Sequence, residues 1–343
     1  MRVATRGTAL VTGATGFIGS RLVPALVADG WTVVACGRRA RPADLAPAVD
    51  YRIADLAGDA PLHDLVKGVS HLFHLAGASS STSSDEQMHR DNVVATERLL
   101  DAFGSGQLAR VVHMSSTSVY GEEEALALPV REDVVPNPSR SYGKAKWRTE
   151  QVVWSQWADG LPAVILRPVS VYGPGNVKLL ASAILDVSIE AHGGAAVLAV
   201  PARPIEQRLV HIDDLVRATL HVAGSEAAVG RAFNVVGGHY PSSVEVASIV
   251  AGHFDMAVEL VDDPDCGPSY DERRARHATM VAEGMAPDIL LTPERFRFMR
   301  KANRNNRLST EALLTTGFTF AETDLEASVG RTIDWYRRHR WVL

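Results

Sequence analysis

The chain has 343 residues, 46% of them hydrophobic and 22% charged, an ordinary globular composition with room for one large domain or one and a half. Its net charge of −5 argues against a general nucleic-acid surface, and no apolar run is long enough to span a membrane. Cys36 and Cys266 stand too far apart for a disulfide framework or a metal pattern, and the N-terminus runs straight into a strand without an apolar signal core, so a reduced, cytoplasmic protein is expected.

Short apolar runs alternate with amphipathic stretches up to about residue 170. Ala9–Val11, Trp31–Cys36, Tyr51–Ile53, His71–Ala76, Arg110–Met114 and Ala163–Leu166 read as buried strands, and Phe17–Ala28 and Glu86–Phe103 have helical spacing. That alternation predicts crossover helices and a doubly wound parallel sheet, an α/β fold of the Rossmann type. After Tyr172-Gly173-Pro174-Gly175 the pattern breaks: 174–208 reads as a helix plus irregular chain. Strand and helix return at 208–222 and 232–236, and 238–343 carries helical pieces and a Pro/Asp-rich loop at 262–268. The expected organisation is a nucleotide-binding domain over 1–173, rejoined by about 209–237. A smaller C-terminal substrate-binding part then covers 174–208 and 238–343.

Gly13, Gly16 and Gly19 lie at spacing three between the first strand and the first helix. The first glycine permits a tight turn, the second a close approach of backbone to a pyrophosphate, and the third close packing of helix on strand. The phosphates would meet free N–H groups and the positive end of a helix dipole. At the end of the next strand, where an acid would bind the ribose hydroxyls of NAD, stand Arg38 and Arg39. They suit the 2′-phosphate of NADP(H), or they are solvated loop charges; NADP(H) is favoured and NAD(H) remains open. Asp55 and Leu56 fall one strand further on, within reach of the adenine.

Tyr142 and Lys146 are four residues apart, so they share a helix face, and an ammonium there would lower the phenol toward working pH. The strand 110–114 ends in Ser115-Ser116-Thr117-Ser118, at the carboxyl edge where ligands of open parallel sheets gather. His71 and His74 have metal-like spacing but lie in a buried strand without a third ligand, so no metal is expected. Arg273, Arg274, Arg276, Arg295, Arg297, Arg300, Arg304 and Arg307 form an arginine-rich stretch that would bind an anion or make a solvated face. Trp147, Trp154 and Trp157 on the Tyr142 helix read as packing residues.

The set T-G-x-x-G-x-x-G, H-L-A-G (74–77), S-S-T-S-V-Y-G, Y-G-K-A-K and L-R-P-V-S-V-Y-G-P-G (166–175) resembles the extended short-chain dehydrogenase/reductases, the NAD-dependent epimerase/dehydratase family. R-L-V-H-I-D-D-L at 208–215 and later motifs carry the likeness over nearly the whole chain. The resemblance implies that Tyr142 is the general acid/base, Ser116 the catalytic hydroxyl, and Lys146 the group that holds the nicotinamide ribose. It implies that Phe17 and Ile18 give backbone N–H groups to phosphate and that Ala76 and Gly77 line the ribose. Asn92 would sit below the site and Pro168 near the carboxamide. It further implies a homodimer through helices 86–103 and 143–157. Relatives acting on nucleotide sugars often carry an arginine four residues before the His of V-H-x-x-D; Gln207 stands there here. The expected activity is NAD(P)-dependent hydride transfer to or from a carbonyl or hydroxyl carbon of a small molecule. A sugar epimerase with transient oxidation is the alternative, and a non-catalytic dinucleotide sensor the third reading.

Overall fold

A computed structural model describes residues 6–78, 84–104, 106–121, 127–263, 265–296 and 307–343. The chain forms two compact units, the first Met1–Val169 with Leu215–Val235 and Leu308–Thr319, the second Ser170–Asp214 with Val236–Arg307 and Phe320–Leu343. Among the described residues no helix is long and apolar enough to cross a membrane.

The first unit is built on seven parallel strands: β1 (Thr8–Thr12), β2 (Thr32–Gly37), β3 (Asp50–Ile53), β4 (His71–His74), β5 (Arg110–Met114), β6 (Ala163–Pro168) and β10 (Arg231–Val235). Their order is β10-β6-β5-β4-β1-β2-β3. Helices α1 (Phe17–Ala28), α2 (His63–Val66), α3 (Asp85–His89), α4 (Ala95–Phe103) and α5 (Ser141–Ala158) supply crossovers. A sheet covered on both faces needs apolar residues in both directions, which is why β5 and β6 are buried at every position. The strand order reverses between β4 and β1, so a crevice opens at their carboxyl ends, where ligands of such sheets bind. The predicted α/β doubly wound parallel sheet is the one observed.

In the second unit, β7 (Ser170–Tyr172) pairs in parallel with β9 (Leu209–His211), and β8 (Val197–Pro201) with β11 (Ala257–Val261). Strands β8 and β11 went unrecognised in the sequence: each is five residues long, partly exposed and paired only with the other, and β8 sits in a Gly/Ala/Pro-rich stretch that read as irregular chain. Helix α6 (Leu180–His192) is buried from Leu180 to Glu190 on all its faces, and it carries Asp186 and Glu190 into the core.

Those two carboxylates account for two residues of the arginine-rich stretch, while Arg274 is exposed. Arg273 donates to Asp186 at 2.7 Å and to the Thr292 and Pro293 carbonyls, while Arg295 donates to Glu190 at 2.6 Å. Arg273 and Arg295 are buried structural cations, neither a solvated face nor an open anion site. Arg307 pairs with Glu206 and lies over the Tyr240 ring. Arg297, Arg300 and Arg304 lie outside the described residues. Removing one partner of a buried pair strands the other charge, so Arg273→Met is expected to cost about 3–5 kcal/mol in urea unfolding, with Asp186→Asn/Arg273→Met recovering part of the loss.

Candidate functional site

The glycine loop follows β1. Gly13 takes a φ of +66°, and a side chain there would press on the backbone of Ala76, so the ends of β1 and β4 are drawn together. A side chain on Gly19 would overlap the Gly13 carbonyl and Ala14, the close helix–strand contact expected of the third glycine. Gly16 differs: a Cβ there meets only the Gly13 carbonyl, at 3.2 Å, and the position is exposed. Gly16 is also the N-cap of α1 and has no side chain to satisfy the first N–H groups, which include those of Phe17 and Ile18. An exposed, uncapped helix start beside a cradle closed to any side chain fits a pyrophosphate.

Around this loop the other candidates are placed as follows. Arg38 and Arg39 are exposed beyond the end of β2. Arg38 lies 3.5 Å from Asp91, and the Arg39 carbonyl accepts the Tyr51 hydroxyl at 3.0 Å. Asp55 is exposed and caps its own turn through the Ala57 N–H, with Leu56 buried beside it. The Ala76 N–H donates to Thr12 Oγ1 at 3.2 Å. Gly77 has a φ of +157°, and a Cβ there would collide with Asn92 Oδ1 and come within 3.4 Å of Lys146 Nζ. Gly77, Asn92 and Lys146 therefore meet at one point. Asn92 occupies a π-helical turn, Arg90–Val94, between α3 and α4, and its Oδ1 is buried without a hydrogen bond. Such wide turns recur at functional sites because they redirect a side chain out of the regular helical register. The Pro168 carbonyl accepts from Thr117 Oγ1 at 3.4 Å.

Ser116, Tyr142 and Lys146 also converge. Ser116 caps a short 3-10 turn, Thr117–Tyr120, by accepting the Ser118 N–H, and its hydroxyl lies beside the Tyr142 phenol. Gly143 makes this approach possible, since a side chain there would overlap the Ser118 carbonyl. Lys146 is buried and donates to the Met114 carbonyl at 2.9 Å. Burial pushes the Tyr142 phenol above its ordinary value, and the neighbouring Ser116 hydroxyl draws it back. Burial pulls Lys146 itself down to about 8, opposed by Glu150.

Beneath Lys146 lie two histidines that the sequence offered only as core residues. His74 accepts the Thr12 hydroxyl at Nδ1, 2.8 Å, and donates from Nε2 to Thr96 Oγ1, 2.9 Å, whose own proton goes to the Asn92 carbonyl. His113 donates in the same way to Thr149 at 3.2 Å. Both rings are buried and close to Lys146, which holds them neutral; His74 is pulled down to about 3 by burial first and Lys146 second. His71 instead bonds Ser70 at 2.9 Å and meets Trp31 edge-on, so the H-x-x-H pair is spent on separate partners. Unfolded His74 titrates near 6.5 and folded His74 near 3, so between those values the unfolded chain binds the extra proton. Acidification from about pH 6.5 should erode stability with a slope of up to about 1.4 kcal/mol per pH unit from this residue. His74→Gln should flatten that slope in urea unfolding followed across pH.

Comparison with known proteins agrees with this geometry. UDP-glucose 4-epimerase of Mycolicibacterium smegmatis is 33% identical over 285 residues, 78% of this chain and 88% of that one. The dTDP-6-deoxy-L-talose 4-dehydrogenase (NAD(P)(+)) of Kitasatospora kifunensis is 31% identical over 264 residues, 74% and 81% of the two chains. The solved structure of MoeE5 in complex with UDP-glucose and NAD superimposes with a TM-score of 0.68 at 28% identity, covering 97% of this chain and 99% of that one. Residues 9–236 match the NAD dependent epimerase/dehydratase family, and the relatives are enzymes. The chain belongs to that family, as an enzyme of the extended short-chain dehydrogenase/reductase type that works with a nicotinamide dinucleotide.

Proposed function

We propose that the protein is an NADP(H)-dependent reductase or dehydrogenase that interconverts a carbonyl and an alcohol on a small molecule. The observation that carries this reading is the meeting of Ser116, Tyr142 and Lys146 at the carboxyl edge of β5, on the same edge as the glycine loop. When bound, the nicotinamide supplies or accepts a hydride. Tyr142 gives a proton to the oxygen that becomes an alkoxide, or removes one in the reverse direction. Ser116 donates a hydrogen bond to the same oxygen and fixes its direction. Lys146 places positive charge and a donor beside Gly77 and Asn92, where the ribose would lie. In this reading Gly13, Gly16, Phe17, Ile18 and Gly19 hold the pyrophosphate, Arg38 and Arg39 the 2′-phosphate, Asp55 and Leu56 the adenine end, and Ala76 and Pro168 flank the nicotinamide half.

A nucleotide-sugar epimerase is the second reading, favoured by the relative of that activity that spans 78% of this chain. Against it stands Gln207. Its side chain is fully buried and donates to the Ile205 carbonyl at 3.1 Å, so it does not offer the cationic grip on a substrate phosphate that an arginine would. Thr117 and Ser118 occupy the places where a dehydratase would carry an acid/base pair. A homodimer through helices 86–103 and 143–157 is proposed on the family resemblance alone.

Stripped protein titrated with NADPH and NADH tests the coenzyme. A preference of about tenfold or more for NADPH, lost in Arg38→Ala/Arg39→Ala, supports net reduction. Tightly retained NAD with no gain from the 2′-phosphate moves the epimerase to first place. For the chemistry, Tyr142→Phe should lower turnover of any carbonyl compound the wild type reduces by about 10²–10⁴-fold while leaving dinucleotide affinity within a few fold. Near-normal turnover would remove Tyr142 from the reaction.

A further inference from the structure

Position 37 closes β2, the place where a dinucleotide fold that binds the ribose hydroxyls of NAD carries an acid, and here it is glycine. The space that a side chain would take is already filled. A Cβ on Gly37 would overlap the Tyr51 hydroxyl and stand 3.4 Å from Thr15 Cγ2 of the glycine loop. Tyr51 belongs to β3, where it pairs with Ala35, two residues before Gly37. Residues two apart in a strand share a face, so the phenol lies on the face that a side chain at 37 would use.

The hydroxyl is held in place, because it donates to the Arg39 carbonyl at 3.0 Å. Further along the same connection Arg41 donates to the Val49 carbonyl at 2.8 Å and to the Ala46 carbonyl at 2.7 Å. The backbone after β2 is thus tied down by side chains, while the Arg38 and Arg39 guanidinium groups stay exposed. Arg38 lies 3.5 Å from Asp91, and Arg39 is the residue whose backbone Tyr51 holds. We propose that Tyr51 sets the dinucleotide preference of this site. Its hydroxyl fills the space that a ribose-binding carboxylate at position 37 would need. Its bond to the Arg39 carbonyl fixes the turn that presents the arginines to a 2′-phosphate. Tyr51 is a positioning residue that acts through position 37 and Arg39. The Arg39 half of the proposal rests on the NADP(H) reading, and the position 37 half does not.

The test is equilibrium titration of stripped full-length protein with NADPH and NADH, followed by nicotinamide fluorescence. Tyr51→Phe keeps the ring and removes the hydroxyl. Its NADPH affinity should fall by about two- to tenfold, the worth of one hydrogen bond, with NADH affinity held within about twofold. Gly37→Asp alone should gain little NADH affinity, because the hydroxyl stands in its way. Gly37→Asp/Tyr51→Phe clears the space and should bind NADH about fivefold or more tighter than Gly37→Asp. Gly37→Ala reads the same obstruction by urea unfolding and serves if the acidic variant does not fold. It should lower the midpoint more in wild-type protein than in Tyr51→Phe protein. Equal NADH affinity in Gly37→Asp and the double variant, an equal effect of Gly37→Ala in both backgrounds, or unchanged NADPH affinity in Tyr51→Phe would overturn the proposal. A wild type that binds NADPH and NADH alike would sink the NADP(H) reading and the Arg39 half with it. The NADH and urea comparisons would still decide the position 37 half.

Discussion

An ammonium taken out of water must be compensated, and much of the first unit's polar interior is arranged around that requirement at Lys146. The Met114 carbonyl accepts its hydrogen bond, two neutral histidines stand where cations would compete, and Glu150 follows one turn along the same helix. Each of these groups then needs its own partners. Thr12, Thr96 and Thr149 satisfy the histidines, and Ser115 and Arg167 satisfy Glu150. One buried charge thereby fixes side chains on four strands and two helical segments.

The fold was legible because a doubly covered parallel sheet leaves a clear mark: short, largely apolar runs such as Ala163–Leu166 separated by helical crossovers. The glycine loop and the Ser116, Tyr142 and Lys146 candidates were legible because their spacing is tied to fixed elements. The polar network was not. Glu150 looks like any helical glutamate, and Arg167 like the end of an apolar strand; only folding shows that they face each other 2.6 Å apart. A signal existed in the four-residue step from Lys146 to Glu150, which puts the two on one helix face. Helix spacing likewise gives the proximity of Tyr142 and Lys146 but not the Met114 carbonyl to which the ammonium bonds.

The second unit was read less well, and the cause is physical. Its helix α6 is buried all round, so it lacks the one-sided stripe that marks a surface helix, and its charged residues are interior. Arginines that looked like an exposed cluster in sequence are paired with acids about a hundred residues away in the chain, as with Arg295 and Glu190. Charge counting along a sequence cannot distinguish such a pair from a patch. The relatives act on sugars linked to nucleotides by their names, yet the position that would grip a phosphate in such enzymes is a buried glutamine here.

The central claim is that this site moves a hydride between nicotinamide and a substrate carbon and leaves the substrate reduced. It is tested most directly with cofactor carrying deuterium at the nicotinamide C4 position, incubated with wild-type protein and a carbonyl substrate, with product examined by mass spectrometry. The account predicts one deuterium in the alcohol product and one equivalent of oxidised cofactor released for each. An isomerised product at an unchanged oxidation level, with the cofactor still bound and no net oxidation, would contradict it.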